Sequence, residues 1–291
     1  MAFNQYSLDL ELSDSQYAYV ADNAELSITG DISIEAWVKL EQLPSTAYYT
    51  ILSKYDTGSD KRSYLFSIKD DKLGIWYSQD GTEAGMTYLR SQVAWTSADV
   101  GKWIHVAVST DVSAKTCVFY KNGASEAYDT INSGATSVYD SAINFNIGAF
   151  FVSASIYSAS YFDGKLNNVR LWSDIRTESE VQDNRFLTLT GTSNNLVGSW
   201  YSTANNHEDL AGTNDLTASG SPVIVTDVPW TGANSTDWET PLEIKSDNTK
   251  VSGSSNLTDY PTLIADGNLT SAVYAGFKGL ATGGTITTEG L

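Results

Sequence analysis

The sequence is poor in the side chains that carry most enzyme chemistry. Its 291 residues include one cysteine, Cys117, and two histidines, His105 and His207. A single thiol excludes an internal disulfide, and so few His and Cys leave no zinc cluster and no Cys-His nucleophile. Cys117 lies in an apolar strand pattern, where a buried, inert thiol is expected. Basic side chains are scarce as well: 17 Lys and Arg stand against 35 Asp and Glu, a net charge of −18. Phosphate backbones and anionic headgroups repel such a chain, so nucleic acid and membrane are poor partners. No apolar run reaches the length of a bilayer span, and Met1-Ala2-Phe3-Asn4-Gln5-Tyr6 lacks the basic and apolar regions of a secretory signal.

What the sequence does have is alternation. Ile32, Ile34, Ala36, Val38 and Leu40 fall on one face of an extended segment, and Ser33, Glu35, Trp37 and Lys39 on the other, the signature of a half-buried strand. Similar runs span Ser63 to Lys69, Lys72 to Ser78, Trp103 to Ser109, Thr116 to Lys121, Ile143 to Ala149 and Gly164 to Trp172. Gly, Asp, Asn and Ser clusters separate them, as between the strands of a sandwich or jelly roll. Asn122-Gly123 and Asp70-Asp71 mark tight hairpins. Thr177-Glu178-Ser179-Glu180 matches a capping box and opens one short helix. Closing strands are expected at Leu196 to Tyr201, Asp215 to Ser219 and Val223 to Thr226. The chain divides into a main domain over 1–226, a Pro- and Gly-bearing linker over 227–241 with the edge near Pro229, and a tail over 242–291. The tail holds two strand patterns, Leu242 to Ser246 and Pro261 to Ala265. It is too small to fold alone without staples or metals, so packing on its own domain or on neighbouring copies is expected.

Three segments carry a resemblance to a known family. They are Ile34-Glu35-Ala36-Trp37-Val38; Gly101-Lys102-Trp103-Ile104-His105-Val106-Ala107-Val108 running on to Tyr120-Lys121-Asn122-Gly123; and Phe162-Asp163-Gly164-Lys165 through Val169-Arg170-Leu171-Trp172. In order and spacing they resemble the laminin-G-like, concanavalin-A-like jelly rolls, related in fold to pentraxins and legume lectins, over residues 7 to 226. The resemblance implies an all-β, two-sheet antiparallel sandwich whose common roles are glycan binding, adhesion and assembly, often with calcium. One fold hosts unrelated functions, so the resemblance stops at that level. Asn248 to Pro261 looks like the opening of a second β module, here truncated.

Some relatives with this sandwich are glucanases whose signature sets carboxylates as Glu-x-Asp-x-x-Glu on one strand, because one must donate a proton while another attacks or activates water. No Glu-x-Asp occurs in this chain, so an enzyme is not expected. His105 alternates with Trp103 and Ala107 and reads as a packed structural histidine; His207 lies in a polar stretch and reads as solvated. Calcium needs six to eight oxygens. The stretch Asn205 to Asp209 with Asn214 and Asp215 supplies them best, giving Asp209, Asn214, Asp215 and the separate Asp22 as candidate ligands, with Asp31 and Asp163 behind them. Plain turn chemistry accounts for the same residues. Sugars are gripped by aromatic faces and by polar groups that read hydroxyls. Tyr48 and Tyr49 in one segment, and Phe150, Phe151, Tyr157 and Tyr161 in another, are candidates for glycan or partner contact, with core packing as the alternative. Trp76 and Tyr77 point to opposite faces, so only one of them can line a groove.

The expectation is a non-enzymatic, lectin-like protein on a virion or cell surface that assembles with its own copies or a particle scaffold and takes cell-surface glycan. A virion component made in a host cytoplasm fits the absence of a signal as well as a trimmed chain does. The alternative is a secreted bacterial carbohydrate-binding or adhesin domain.

Overall fold

A computed structural model describes residues 5–44, 47–191 and 195–229 and the short segments 243–245, 251–252 and 287–289. The chain separates into two units, one over residues 4–230 and one joining 1–3 to 231–291. In the second unit Glu243–Lys245 pairs antiparallel with Val251–Ser252 and parallel with Thr287–Glu289. The strand expected over Pro261 to Ala265 and the linker beyond Pro229 lie outside the described residues.

The larger unit is a sandwich of a nine-stranded and a ten-stranded sheet. The nine-stranded sheet runs in the order Ala124–Glu126, Thr116–Lys121, Ile104–Asp111, Ile32–Leu40, Gly164–Trp172, Ser7–Leu10 and Val223–Val225. Leu196–Ser202 also pairs with Gly164–Trp172, and His207–Asp209 follows it. The ten-stranded sheet runs Tyr128–Ser133, Met86–Ser91, Lys72–Gly81, Lys61–Lys69, Tyr48–Asp56, Phe145–Ile147, Tyr17–Val20 and Thr217–Ser219. A small hairpin of Phe151–Val152 and Ser155–Ile156 sits beside Tyr48–Asp56.

Alternation fills the space between the sheets. Ile32, Ile34, Ala36, Val38 and Leu40 enter one core with Tyr49, Tyr64, Phe66, Ile75, Tyr77 and Leu89 from the facing sheet. Asp70-Asp71 and Asn122-Gly123 turn their hairpins with both residues at positive φ, where Asp, Asn and Gly are tolerated. Cys117 is buried in the core, and burial pushes its thiol pKa up.

The outer face of the nine-stranded sheet is covered too. The Thr177 capping box forms and starts the helix Glu178–Asn184, and the chain beyond it lies on the sheet. There Trp37 Nε1 donates to the Arg185 carbonyl at 2.8 Å, and the Phe186 ring lies 5.3 Å from that of Trp37. This cover buries a charged group. Glu35 Oε1 accepts from Arg170 at 2.9 Å and from Trp172 Nε1 at 3.2 Å, while Oε2 lies 3.2 Å from His105 Nε2. Arg170, with no exposed surface, also donates to Asn168 Oδ1 and to the carbonyls of Asn184 and Leu187. Burial alone would raise the Glu35 pKa, but the Arg170 charge and the bonds from His105 and Arg170 outweigh it and hold it at about 2. Burial holds His105 below its ordinary value against the pull of Glu35. His105 is therefore a neutral, packed group in a cluster that seats the segment after the helix.

His207 departs from the solvated role expected of it. It is 5% exposed on the strand His207–Asp209, its Nδ1 is 3.0 Å from Ser202 Oγ, and burial lowers its pKa. The Asn- and Asp-rich neighbours that make the segment look exposed belong to turns at the ends of this short strand. Beside it a cavity of about 20 Å³ is lined by Asn167, Trp200, Ser202 and Leu216. Asp227 ends the described sandwich with its carboxylate held by Lys39 Nζ at 2.7 Å and Trp103 Nε1 at 2.9 Å.

Candidate functional site

The outer face of the ten-stranded sheet carries a second, separate cluster of large side chains: Tyr55, Leu65, Trp76, Tyr88 and Phe150, with Tyr48 and Met86 packed against them. Strand register builds it. Leu65, Trp76 and Tyr88 stand opposite one another on three adjacent strands, and residues so paired share a face. Of the adjacent pair Trp76 and Tyr77, Tyr77 enters the core and Trp76 takes this outer face. The Trp76 ring stacks on Tyr88 with centroids 4.1 Å apart and planes 13° apart. Gly74 makes room, since a Cβ there would lie 2.5 Å from a Trp76 ring carbon.

Above this layer Tyr48 lies 5.7 Å from Trp76 and meets Phe150 edge-on at 5.2 Å, and Tyr157 lies 5.6 Å from Phe150 and 6.4 Å from Tyr48. Trp76 and Phe150 are buried, Tyr48 is half-buried and Tyr157 is 37% exposed. The result is a ledge of two accessible tyrosine rings on a buried aromatic bed. Edge-to-face and offset contacts of this kind favour fixed ring positions.

A carboxylate holds the hairpin that brings Phe150 and Tyr157 to the ledge. Asp56 accepts from the backbone N–H groups of Gly58 at 2.9 Å, Ser153 at 2.8 Å and Ala154 at 3.0 Å. Ser153 and Ala154 both have positive φ. Burial works to raise the Asp56 pKa, and the backbone donors overcome it and lower it. Asp56→Ala is expected to cost about 1–3 kcal/mol, read as a lower urea midpoint. Because the folded pKa is depressed, the Asp56 contribution is complete above its unfolded value of 3.8 and is lost as pH falls through the folded one.

The structure unites only part of the expected contact set. Tyr48, Phe150 and Tyr157 meet on the ledge. Tyr49, expected beside Tyr48, points the other way: strand alternation sends it into the core, 2% exposed, with its hydroxyl on Asp163 Oδ2 at 3.3 Å. Tyr161 is 9% exposed and packs on Tyr17 at 6.3 Å. Phe151 is half-buried and pairs with Ile156 in the hairpin. Sequence reasoning missed Tyr55, Met86 and Tyr88. The first sits in a strand without alternation and the others in a short one, and their meeting with Trp76 depends on the register across strands.

The expected calcium ligands are committed elsewhere. Asp209 Oδ1 accepts from the N–H groups of Ser199 at 2.9 Å and Ala211 at 3.0 Å, and its Oδ2 from that of Asn214 at 3.2 Å. Asp215 Oδ1 accepts from Asp209 N–H at 2.8 Å, and the Asn214 amide bonds Asn23 and Glu25. Asp22 faces an ammonium: Lys54 Nζ is 2.7 Å from its carboxylate and 3.0 Å from that of Asp140, with the Lys54 side chain fully buried. Asp31 and Asp163 likewise accept backbone N–H groups, of Val112 and Leu12. Turn chemistry and a lysine thus already engage Asp209 Oδ1 and Oδ2, the Asn214 amide, Asp215 Oδ1 and Asp22 Oδ1, oxygens that a calcium ion would take. Asp9, Glu11 and Glu41 bring oxygens within 4.8 Å of one another, and Lys165 pairs with Asp9 at 3.2 Å and Glu41 at 3.5 Å. Adding a chelator is expected to move the thermal midpoint by less than about 1 °C; a clear fall would restore a structural ion.

Residues 12–182 match the family model described as the concanavalin A-like lectin/glucanases superfamily, more than half of the chain. The chain belongs to that superfamily. Among solved structures, a presumed carbohydrate-binding protein from Bacteroides ovatus is similar to this superfamily member, with 19% identity and a TM-score of 0.56. That similarity covers 76% of this chain and 60% of the Bacteroides chain. A heptameric SAP-like pentraxin from Limulus polyphemus is 10% identical with a TM-score of 0.49, over 76% of this chain and 94% of its own. Domain 4 of an extracellular arabinanase from Geobacillus stearothermophilus, solved with arabinotriose, is 21% identical with a TM-score of 0.38, over 55% of this chain and 68% of its own. No protein of curated function matches the sequence. Among the described residues no helix is long and apolar enough to cross a membrane.

Proposed function

We propose that this superfamily member is a non-enzymatic carbohydrate-binding module that seats sugar on the Tyr48–Tyr157 ledge. One observation carries the reading: two accessible tyrosine rings rest on a bed of buried aromatics. The C–H face of a pyranose lies well on such rings, and rings already held in place lose little freedom on binding. The carbohydrate-binding name of the Bacteroides relative points the same way. Catalysis is disfavoured by what lies beneath the ledge. The central strands offer Leu65, Ser67, Gly74 and Trp76 there, and Asp56, at the end of the next strand, is committed to its hairpin. A hydrolase of the superfamily's kind needs a pair of free carboxylates facing the sugar.

The setting we infer is the outside of a particle or cell. Within it, a virion surface protein acting in several copies and a secreted bacterial adhesin are separated by the solution mass of the full chain, multimeric for the first and monomeric for the second. The binding reading itself is tested on a glycan array with the intact protein. Saturable binding to a defined group of glycans is expected, and a blank array at high protein concentration would overturn it.

A further inference from the structure

The ledge has a basic margin. Lys69 and Lys72 stand opposite each other across the Asp70-Asp71 turn, and Arg90 stands opposite Gly74. Side chains two apart along a strand share a face. Lys72 therefore lies on the side of Trp76, Arg90 on that of Tyr88, and Lys69 on that of Leu65. All three cations edge the aromatic bed. Lys69 Nζ sits 4.5 Å from the centre of the Tyr48 ring, so one cation touches an accessible ring of the ledge.

These cations belong to the half of the described Lys and Arg side chains that make no ion pair, with Lys61, Lys102, Lys115 and Arg185, and what sets them apart is their place beside the aromatic bed. Lys39, Lys54, Lys121, Lys165, Arg62 and Arg170 each have a carboxylate within ion-pairing distance. Among the described residues no carboxylate oxygen lies within 4.0 Å of a side-chain nitrogen of Lys69, Lys72 or Arg90. Arg90 Nε is buried without a hydrogen-bond partner, while the rest of its guanidinium interacts with the Tyr88 hydroxyl in the bed. The nearby acids do not answer it. Asp129, opposite Arg90, accepts from Gln92 Nε2 at 2.8 Å, and Asp70 and Asp71 form the turn beyond the lysines. Three half-exposed cations beside a stacking surface make a receptor for a ring that also carries a negative charge.

We propose that the sugar taken by the ledge is acidic. Its apolar face lies on Tyr48 and Tyr157, and its carboxylate or sulfate faces Lys69, with Lys72 and Arg90 completing the anionic subsite. This rests on the carbohydrate-binding reading and adds the ligand's charge class. The long-range field of the chain opposes an anion, so the subsite acts at contact range, where a charged hydrogen bond outweighs the screened repulsion of distant carboxylates.

The test is a titration of the full chain against matched pairs: oligogalacturonate and its methyl ester, sialylated and desialylated lactosamine, and sulfated and unsulfated galactose oligomers. At least one acidic member is expected to bind about tenfold or more tightly than its neutral partner. The pair that discriminates tells carboxylate from sulfate. Lys69→Gln and Arg90→Gln are expected to bring the ratio toward one at an unchanged thermal midpoint. If Arg90→Gln proves unstable, salt replaces it: raising ionic strength must erode acid binding in the native protein and leave neutral binding in place. Equal binding of both members of every pair would overturn the charge assignment while leaving the ledge intact. Binding of neither member of any pair would overturn the ledge as well.

Discussion

Glu35→Ala is expected to lower the stability of the sandwich by about 3–5 kcal/mol, the usual result of removing one partner from a buried ion pair. Arg170 is fully buried, and without Glu35 its guanidinium keeps only neutral acceptors: Asn168 Oδ1, the carbonyls of Asn184 and Leu187, and the Tyr201 hydroxyl. Trp172 Nε1 and His105 Nε2 lose their acceptor in the same step. For a unit of this size the thermal midpoint should fall by about 6–20 °C. Glu35→Gln keeps the shape and an acceptor oxygen, so its effect should be smaller. A loss below about 1 kcal/mol for the alanine variant, measured by urea unfolding, would show that the cluster is not what seats the helix segment.

The same cluster sets an acid limit. The folded pKa of Glu35, about 2, lies below its ordinary 4.5, so its contribution is complete above pH 4.5 and is lost as pH falls toward 2. His105 is depressed below 6.5, so its contribution also holds above that value and declines as pH falls beneath it. Stability should therefore fall in two stages on acidification, and His105→Asn should remove the earlier one.

Tyr157→Ala is expected to weaken sugar binding about tenfold or more while leaving the thermal midpoint nearly unchanged. The ring is 37% exposed and rests on Phe150 and Tyr48 without being enclosed by them. Tyr48→Ala should weaken binding similarly and cost some stability, because its ring also packs on Trp76. Tyr157→Phe tests the mechanism: retained affinity means the ring face carries the contact, and lost affinity transfers the role to the hydroxyl. Tyr49→Ala is the contrast, expected to cost about 3–5 kcal/mol through an empty core site. Wild-type affinity in Tyr157→Ala would sink the ledge.

Much of the sandwich could be read from alternation, because apolar side chains on the core face take turns with polar, small or aromatic ones on the outer face even where both faces are buried. Lys61–Lys69, Lys72–Gly81 and Gly164–Trp172 were legible in this way, as were the Asn122-Gly123 turn and the Thr177 capping box. Tyr48–Asp56 was not. It is the scaffold for Tyr48 and Tyr55, yet register shifts between Thr50 and Leu52 and between Lys54 and Tyr55 break its alternation, so its sequence shows no period to read. The ledge was half-legible for the same reason. Tyr48, Phe150 and Tyr157 stood out as aromatics in turn-rich stretches, but their meeting with Trp76 and Tyr88 depends on a register across strands that no local pattern specifies. The calcium expectation rested on counting oxygens. Composition cannot tell an oxygen free to bind an ion from one such as Asp209 Oδ1, already holding two backbone N–H groups.

The buried state of Cys117 reaches beyond packing. A sulfur held in the core with a raised pKa offers almost no thiolate to oxidants, alkylating reagents or other thiols. Disulfide exchange and alkylation at Cys117 are therefore disfavoured as long as the sandwich stays folded. A cysteine introduced at Tyr157 would be the one fast-reacting sulfur in the chain, so a fluorophore or cross-linker could be set on the ledge without altering the core.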